Sequence, residues 1–257
     1  MEFIDTHTHL YLSDFHSDRT KVFENAFAAG VNTMLLPNID SKTIDQMMFL
    51  CEQYPKNCFP MIGLHPTSVK EDYEIEINTV RSNLKTQKFI AMGEIGIDLH
   101  WDKSFFDQQC DAFIAQLHMA REYSLPVVIH SRDSFREIIE ILKTHQAITP
   151  YKGVFHSFSG NLEQANEAIS LGFMIGINGV VTFKNSGMSE VIKDIPLINL
   201  LLETDSPYLT PVPFRGKRNE SSYLIYIARR IAEIKQISIE EVAMSTTNGA
   251  KSLFNLP

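Results

Sequence analysis

Nine histidines are spread over 257 residues, and two of them, His7 and His9, stand one residue apart in "IDTHTHL" at the front of the chain. In an extended strand side chains alternate faces, so positions i and i+2 point the same way. Both imidazoles can then bind one ion, with Thr6 and Thr8 turned outward and Asp5 on the inward face one step deeper. Other residues able to do chemistry end other short apolar runs: Glu94 in "GEIGID", His130 in "VVIHSRD", His156 in "GVFHSFSG" and Asp205 in "LLLETDSP". His65 follows a further run in "GLHP". A histidine or carboxylate in a buried strand is costly unless it is paired or ligated. Taken singly, each has a plain reading, such as a satisfied core histidine, a buried ion-pair partner or a helix cap. Jointly they have no common structural explanation, and together they point to a metal site. His16, His100, His118 and His145 show no such placement, and the last two read as surface residues on helices.

The elements that must carry these residues follow from the pattern of apolar runs. Strands are predicted over 2–9, 32–37, 58–64, 89–97, 126–131, 152–157, 173–178 and 199–204, several of them continuously apolar, as strands buried on both faces are. Amphipathic stretches alternate with them at about 18–29, 42–54, 73–86, 105–123, 133–145, 161–171, 187–194 and 219–235, and a last helix is predicted at 238–254. In "NLEQANEAISLG" Asn161 can cap a helix that Gly172 ends. Strands and helices in strict alternation fit a (β/α)8 TIM barrel spanning 1–257 as one domain; a doubly wound open sheet is the competing reading. The barrel is favoured because the polar residues fall at the C-terminal strand ends, where barrel enzymes build their sites.

Bulk properties narrow the classes. The composition is 44% hydrophobic and 21% charged, ordinary for a globular chain, and no run approaches the ~18 apolar residues of a membrane span. The N-terminus lacks a basic segment followed by an apolar run, so no secretory signal is expected. Cys51, Cys58 and Cys110 form no CxxC pair, which suits a reducing, cytoplasmic setting and core packing. The net charge of −8 argues against coating a long nucleic acid, unless bound ions reverse the sign locally.

The segments "IDTHTHL", "GLHP", "GEIGIDLHW", "LPVVIHSRD", "FHSFSG", "LLETDSPYLTP" and "RGKRNE" run through nearly the whole chain, and together they resemble the TatD family of metal-dependent hydrolases, within the amidohydrolase-like barrels. The resemblance implies two divalent ions. His7 and His9 would hold one, with Asp205 near it; His130 and His156 would hold the other; Glu94 would bridge them. It implies substrate contacts from His65 and from Arg215, Lys217 and Arg218. Where the family motif continues with proline this chain has Ser221, which implies a less rigid loop. Two dications outweigh Glu94 and Asp205 in charge, so a positive mouth is expected that draws phosphate oxygens. The implied activity is DNA phosphodiester hydrolysis, 3′-to-5′ on single strands, by a metal-activated water with Asp205 accepting its proton. Mg²⁺ is the family's usual activator, whereas histidine-rich ligation suits Zn²⁺ or Mn²⁺. Some relatives are D-aminoacyl-tRNA deacylases, so hydrolysis of a carboxylic ester or amide is the alternative. A monomer acting on single-stranded DNA, away from membranes, is expected.

Two further segments stay open. In "SRDSFRE" Ser131 or Arg132 either touches substrate or merely precedes a helix capped by Asp133 or Ser134. His100 and Trp101 follow the fourth strand on the active-site side, where a base could stack or the loop could pack on the barrel. Asp5 either orients a ligating histidine or makes ordinary hydrogen bonds inside the barrel.

Overall fold

The computed structural model describes residues 1–145 and 151–257. Strands β1 (Phe3–Asp5), β2 (Val31–Pro37), β3 (Cys58–Ile62), β4 (Ala91–Asp98), β5 (Val127–Arg132), β6 (Gly153–Phe155), β7 (Phe173–Ile177) and β8 (Leu200–Leu202) form one sheet in sequence order, every pair parallel. The ring is brought round by the Thr6 amide donating to Leu202 O (3.0 Å) and by a parallel bridge between Thr8 and Ser206. Helices α1 (Arg19–Ala28), α2 (Ser41–Gln53), α3 (Tyr73–Thr86), α4 (Phe106–Glu122), α5 (Phe135–Thr144), α6 (Leu162–Ser170), α7 (Met188–Asp194) and α8 (Leu224–Lys235) surround it. This is the expected (β/α)8 TIM barrel. No helix among the described residues is long and apolar enough to cross a membrane.

Strand alternation sorts the core into two layers. Ile4, Leu35, Met61, Ala91, Val128, Val154 and Leu201 gather inside the barrel, while their neighbours, such as Phe3, Met34 and Leu36, pack among the helices. The last helix, α9 (Ile239–Phe254), contributes Ala250 and Phe254 to the inner cluster. It therefore closes the barrel floor and leaves the C-terminal strand ends for a site. Helix ends follow local chemistry. Asn161 caps α6 as expected, and Gln164 completes a capping box, each side chain accepting the other's amide at 2.9 Å. Gly172 follows α6 with φ +92°, a conformation that favours glycine.

Three expectations need correction. The α8 segment was predicted from 219 but begins at Leu224, because 211–220 are loop and Ser221–Tyr223 a 3₁₀ turn. That loop is pinned despite Ser221: Asn219 Nδ2 donates to Thr204 O (2.8 Å) and Tyr208 O (2.6 Å). Neither Asp133 nor Ser134 caps α5 with its side chain. The buried Ser134 hydroxyl donates instead to Ile97 O (2.6 Å), and Asp133 faces His100 Nδ1 at 3.1 Å.

Candidate metal centre

The β1 ladder stops at Asp5, so His7 and His9 do not sit on an unbroken strand. Ile4 fills the barrel interior, and Asp5 is tied sideways to Thr204, whose amide (2.9 Å) and hydroxyl (2.6 Å) both donate to it. Asp5 makes no side-chain contact with the cluster imidazoles; it fixes the turn before Asp205, and complete burial pushes its pKa up to about 7. Thr6 and Thr8, expected outward, are buried, the Thr6 hydroxyl donating to Leu202 O at 3.0 Å. The segment beyond β1 is strung between neighbours instead: the Thr8 amide reaches Leu35 O (3.1 Å), the His9 amide Ser206 O (2.8 Å), and the Asp205 amide His7 O (2.9 Å). These bonds bring His7, His9 and Asp205 together at the β1–β8 junction. Asp205 adopts φ +57°, a left-handed conformation costing a non-glycine residue about 1–3 kcal/mol, which the surrounding bonds must hold.

Glu94 lies at the middle of the cluster. Its Oε2 faces His7 Nε2 (3.1 Å) and His9 Nε2 (3.9 Å). Its Oε1 faces His130 Nδ1 (2.8 Å), His65 Nε2 (3.3 Å) and His156 Nε2 (3.6 Å). Asp205 Oδ1 is 3.7 Å from His9 Nε2, 3.8 Å from His7 Nε2 and 3.9 Å from His156 Nε2. Three sets bring their donor atoms within 4.8 Å of one another: His7, His9 and Asp205; His7, Glu94 and His156; His65, Glu94 and His130. Gly96 permits part of this. At φ +148°, a Cβ there would lie 2.0 Å from His130 O, so only glycine lets β4 run this close to β5.

Proton positions, read from the hydrogen-bond network, separate ligands from donors. The Tyr11 hydroxyl donates to Pro37 O (2.6 Å), so toward His9 it accepts, from Nδ1–H at 2.9 Å. His9 Nε2 is left with a lone pair. His156 turns Nδ1 to Glu203 Oε1 at 3.0 Å, a skewed ion-pair contact, and aims Nε2 inward. His7 is fully buried, and neither of its ring nitrogens has an aligned hydrogen-bond partner, which a bound cation would supply. His130 places Nε2 2.8 Å from Asp98 Oδ2 and Nδ1 toward Glu94. His65 differs. Its Nδ1 accepts the Thr67 amide (3.1 Å), so the proton is on Nε2, and that nitrogen is a donor rather than a ligand. The residues present thus fit divalent cations of the kind imidazole and carboxylate bind.

The charges follow from burial and mutual proximity. Burial dominates at His7 and His9, lowering the first well below its ordinary value and the second to about 4. At Glu94 burial is outweighed by His65, His156 and His7, which hold its carboxyl well below the usual range. His156 also overcomes burial: Glu203, then Glu94 and Asp205, push it up to about 10. At Asp205 burial prevails and raises the carboxyl to about 7. Asp98 stays low, at about 2, because the hydrogen bond from His130 offsets its burial.

Asp98 and Glu203, both buried, were missed from sequence. The signal was available: a carboxylate on an apolar strand, four residues after Glu94 or two before Asp205. Counting them corrects the expected charge, since four carboxylates, not two, would offset the charge of any bound cations. The positive loop also lies elsewhere. Arg215 stacks over Phe183 (4.3 Å), Lys217 lies near Phe214 (5.9 Å), and Arg218 makes two bonds to Asp18 (2.8 and 2.7 Å). None of the three lines the cavity of about 580 Å³ over the centre; Arg132 is the cation that does.

Comparison with known proteins agrees with this architecture. The profile of the TatD related DNase family matches residues 4–255. The uncharacterized metal-dependent hydrolase YabD of Bacillus subtilis is 40% identical over 253 residues, 98% of each chain. The 3′-5′ ssDNA/RNA exonuclease TatD of Pectobacterium atrosepticum is 33% identical, over 98% of this chain and 99% of that one. The crystal structure of YjjV, a TatD homolog from Escherichia coli K12, superposes with a TM-score of 0.93 at 32% identity, covering 99% of this chain and 98% of that one.

Proposed function

The chain belongs to the TatD-related DNase family of metal-dependent hydrolases, and from that premise we propose that it cleaves phosphodiester bonds at the 3′ end of single-stranded DNA. In this reading two divalent ions are held by His7, His9, Glu94, His130, His156 and Asp205. The observation that carries it is the division of Glu94, whose Oε2 serves His7 and His9 while Oε1 serves His130 and His156. One carboxylate between two imidazole sets is what a shared ligand requires.

When bound, such ions supply Lewis acidity, acidifying water and offsetting charge on phosphoryl oxygens. The chain supplies the rest. Asp205, with its carboxyl raised to about 7, takes the proton from the attacking water at Oδ1. His65 donates from Nε2–H to a phosphoryl oxygen, a charge-directed bond in a partly enclosed site. Asp98 and Glu203 hold His130 and His156 in orientation. The cavity of about 580 Å³ is of nucleotide size.

The test is to chelate the protein, restore Mg²⁺, Mn²⁺ or Zn²⁺ singly, and follow 3′-shortening of a 5′-labelled oligonucleotide. Ion-dependent shortening is expected, and its absence with every ion overturns the reading. The balance of four carboxylates favours a second reading, because it removes the bias toward an anionic substrate. Hydrolysis of a carboxylic ester such as D-aminoacyl-tRNA uses the same groups, and release of the amino acid in a parallel assay identifies it.

A further inference from the structure

The chain has one tryptophan, and it is 70% exposed. Leaving an indole in water forgoes a large apolar burial. Trp101 does not pack its loop onto the barrel; it stands on the rim of the central cavity. The Arg132 guanidinium lies over its ring, 5.2 Å from the centroid, and His100 meets it edge-on at 5.0 Å. Arg132 is itself exposed, lines the same cavity and makes no ion pair among the described residues. An exposed indole with a guanidinium over its ring that makes no ion pair among the described residues matches an unpaired nucleotide, with its base to stack and its phosphate to pair.

The position of this platform is fixed by the centre itself. Asp98 Oδ1 accepts the backbone amides of His100 (3.0 Å) and Trp101 (3.2 Å), while its Oδ2 holds His130 Nε2 at 2.8 Å. One buried carboxylate thus anchors both a cluster imidazole and the loop bearing the indole. Across the mouth, Tyr208 is 52% exposed and lies edge-on to His9, 6.3 Å between ring centres.

We infer that Trp101 and Arg132 form a nucleotide subsite, the indole stacking an unpaired base of single-stranded DNA and the guanidinium contacting its phosphate. The inference rests on the nuclease reading for the identity of the strand. It gives the substrate a fixed register, one base held on the rim while the adjacent linkage enters the cavity.

Because Trp101 is the sole tryptophan, its fluorescence reports the stack without turnover. A phosphorothioate oligothymidylate of roughly ten nucleotides, within single-strand site sizes, is titrated into the Mn²⁺-loaded protein. Saturable quenching is expected, with much weaker quenching by the same strand lacking its 3′-terminal bases. Trp101→Ala is expected to raise KM on the cleavable strand about tenfold, in line with the loss of one base–aromatic stack, with kcat little changed. Trp101→Phe restores most of the loss. Arg132→Ala raises KM and flattens its dependence on salt. Equal quenching by the base-free strand, or a Trp101→Ala variant with unchanged KM, overturns the subsite while wild-type cleavage leaves the nuclease reading intact. Base-dependent quenching without cleavage in any ion keeps the subsite and removes the nuclease reading.

Discussion

The two sides of the proposed centre use the same residue types and support them differently. On the β1–β8 side, His9 leans on a neutral tyrosine hydroxyl, and His7 Nδ1 has no polar partner. Their placement depends on backbone bonds that join the first and last strands. On the β5–β6 side, His130 and His156 each turn their outer nitrogen to a buried carboxylate, Asp98 and Glu203. A carboxylate partner makes an imidazole more basic and fixes its ring, so a cation on this side is expected to be held the more tightly. Glu94 faces both sides at the shortest distances, 3.1 Å to His7 and 2.8 Å to His130, while Asp205 Oδ1 reaches across to His156 only at 3.9 Å.

The largest test of that division is Glu94→Gln. It keeps the volume but removes the charge that five histidines converge on. Activity is expected to fall by about 10³-fold, an interaction of several kcal/mol, and bound metal to fall on both sides. Circular dichroism checks that the barrel persists. Near-normal cleavage or metal content in this variant would show that the two sides do not depend on a shared ligand.

Stepwise removal of metal comes next. Titration with a chelator, followed by metal analysis, is expected to release ions in two stages, the β1–β8 side first. Tyr11→Phe should then cost little affinity, while Asp98→Asn and Glu203→Gln should each cost about 10–100-fold. The check is calorimetric titration of each metal-free variant with Mn²⁺. Equal losses for Tyr11→Phe and Asp98→Asn would remove the distinction between the sides.

The same contrast explains what was legible in sequence. The (β/α)8 alternation was readable because parallel strands buried on both faces leave apolar runs that helical periodicity interrupts. The cluster residues were readable because a charge ending such a run is costly without a partner. Asp98 and Glu203 obey the same rule, but each stands beside a more conspicuous acid in its motif, and their role depends on which imidazole nitrogen they meet. His7 and His9 converge as predicted, but through bonds to β2 and β8 rather than through strand alternation, which ends at Asp5. Pairing across such junctions leaves no trace in local spacing.

The smallest effect separates the centre from its rim. Arg218 was expected at the substrate from the "RGKRNE" motif, yet its guanidinium binds both oxygens of Asp18, 200 positions away, and lies 4.5 Å over Phe15. Asp18 answers electrostatically: the hydrogen bonds from Arg218 lower its carboxyl below the ordinary value. The Asp18 side chain is 43% exposed and that of Arg218 28%, so the pair contributes only about 0.2–1 kcal/mol. Arg218→Ala is therefore expected to lower the melting temperature slightly and to leave KM for single-stranded DNA unchanged, whereas Arg132→Ala raises KM and leaves the melt unchanged. The pair of variants, read by thermal melting and by initial rates, places the substrate-facing cation. A raised KM in Arg218→Ala would move it back to the loop that sequence favoured, because the Asp18 bridge would then have to open when the strand binds.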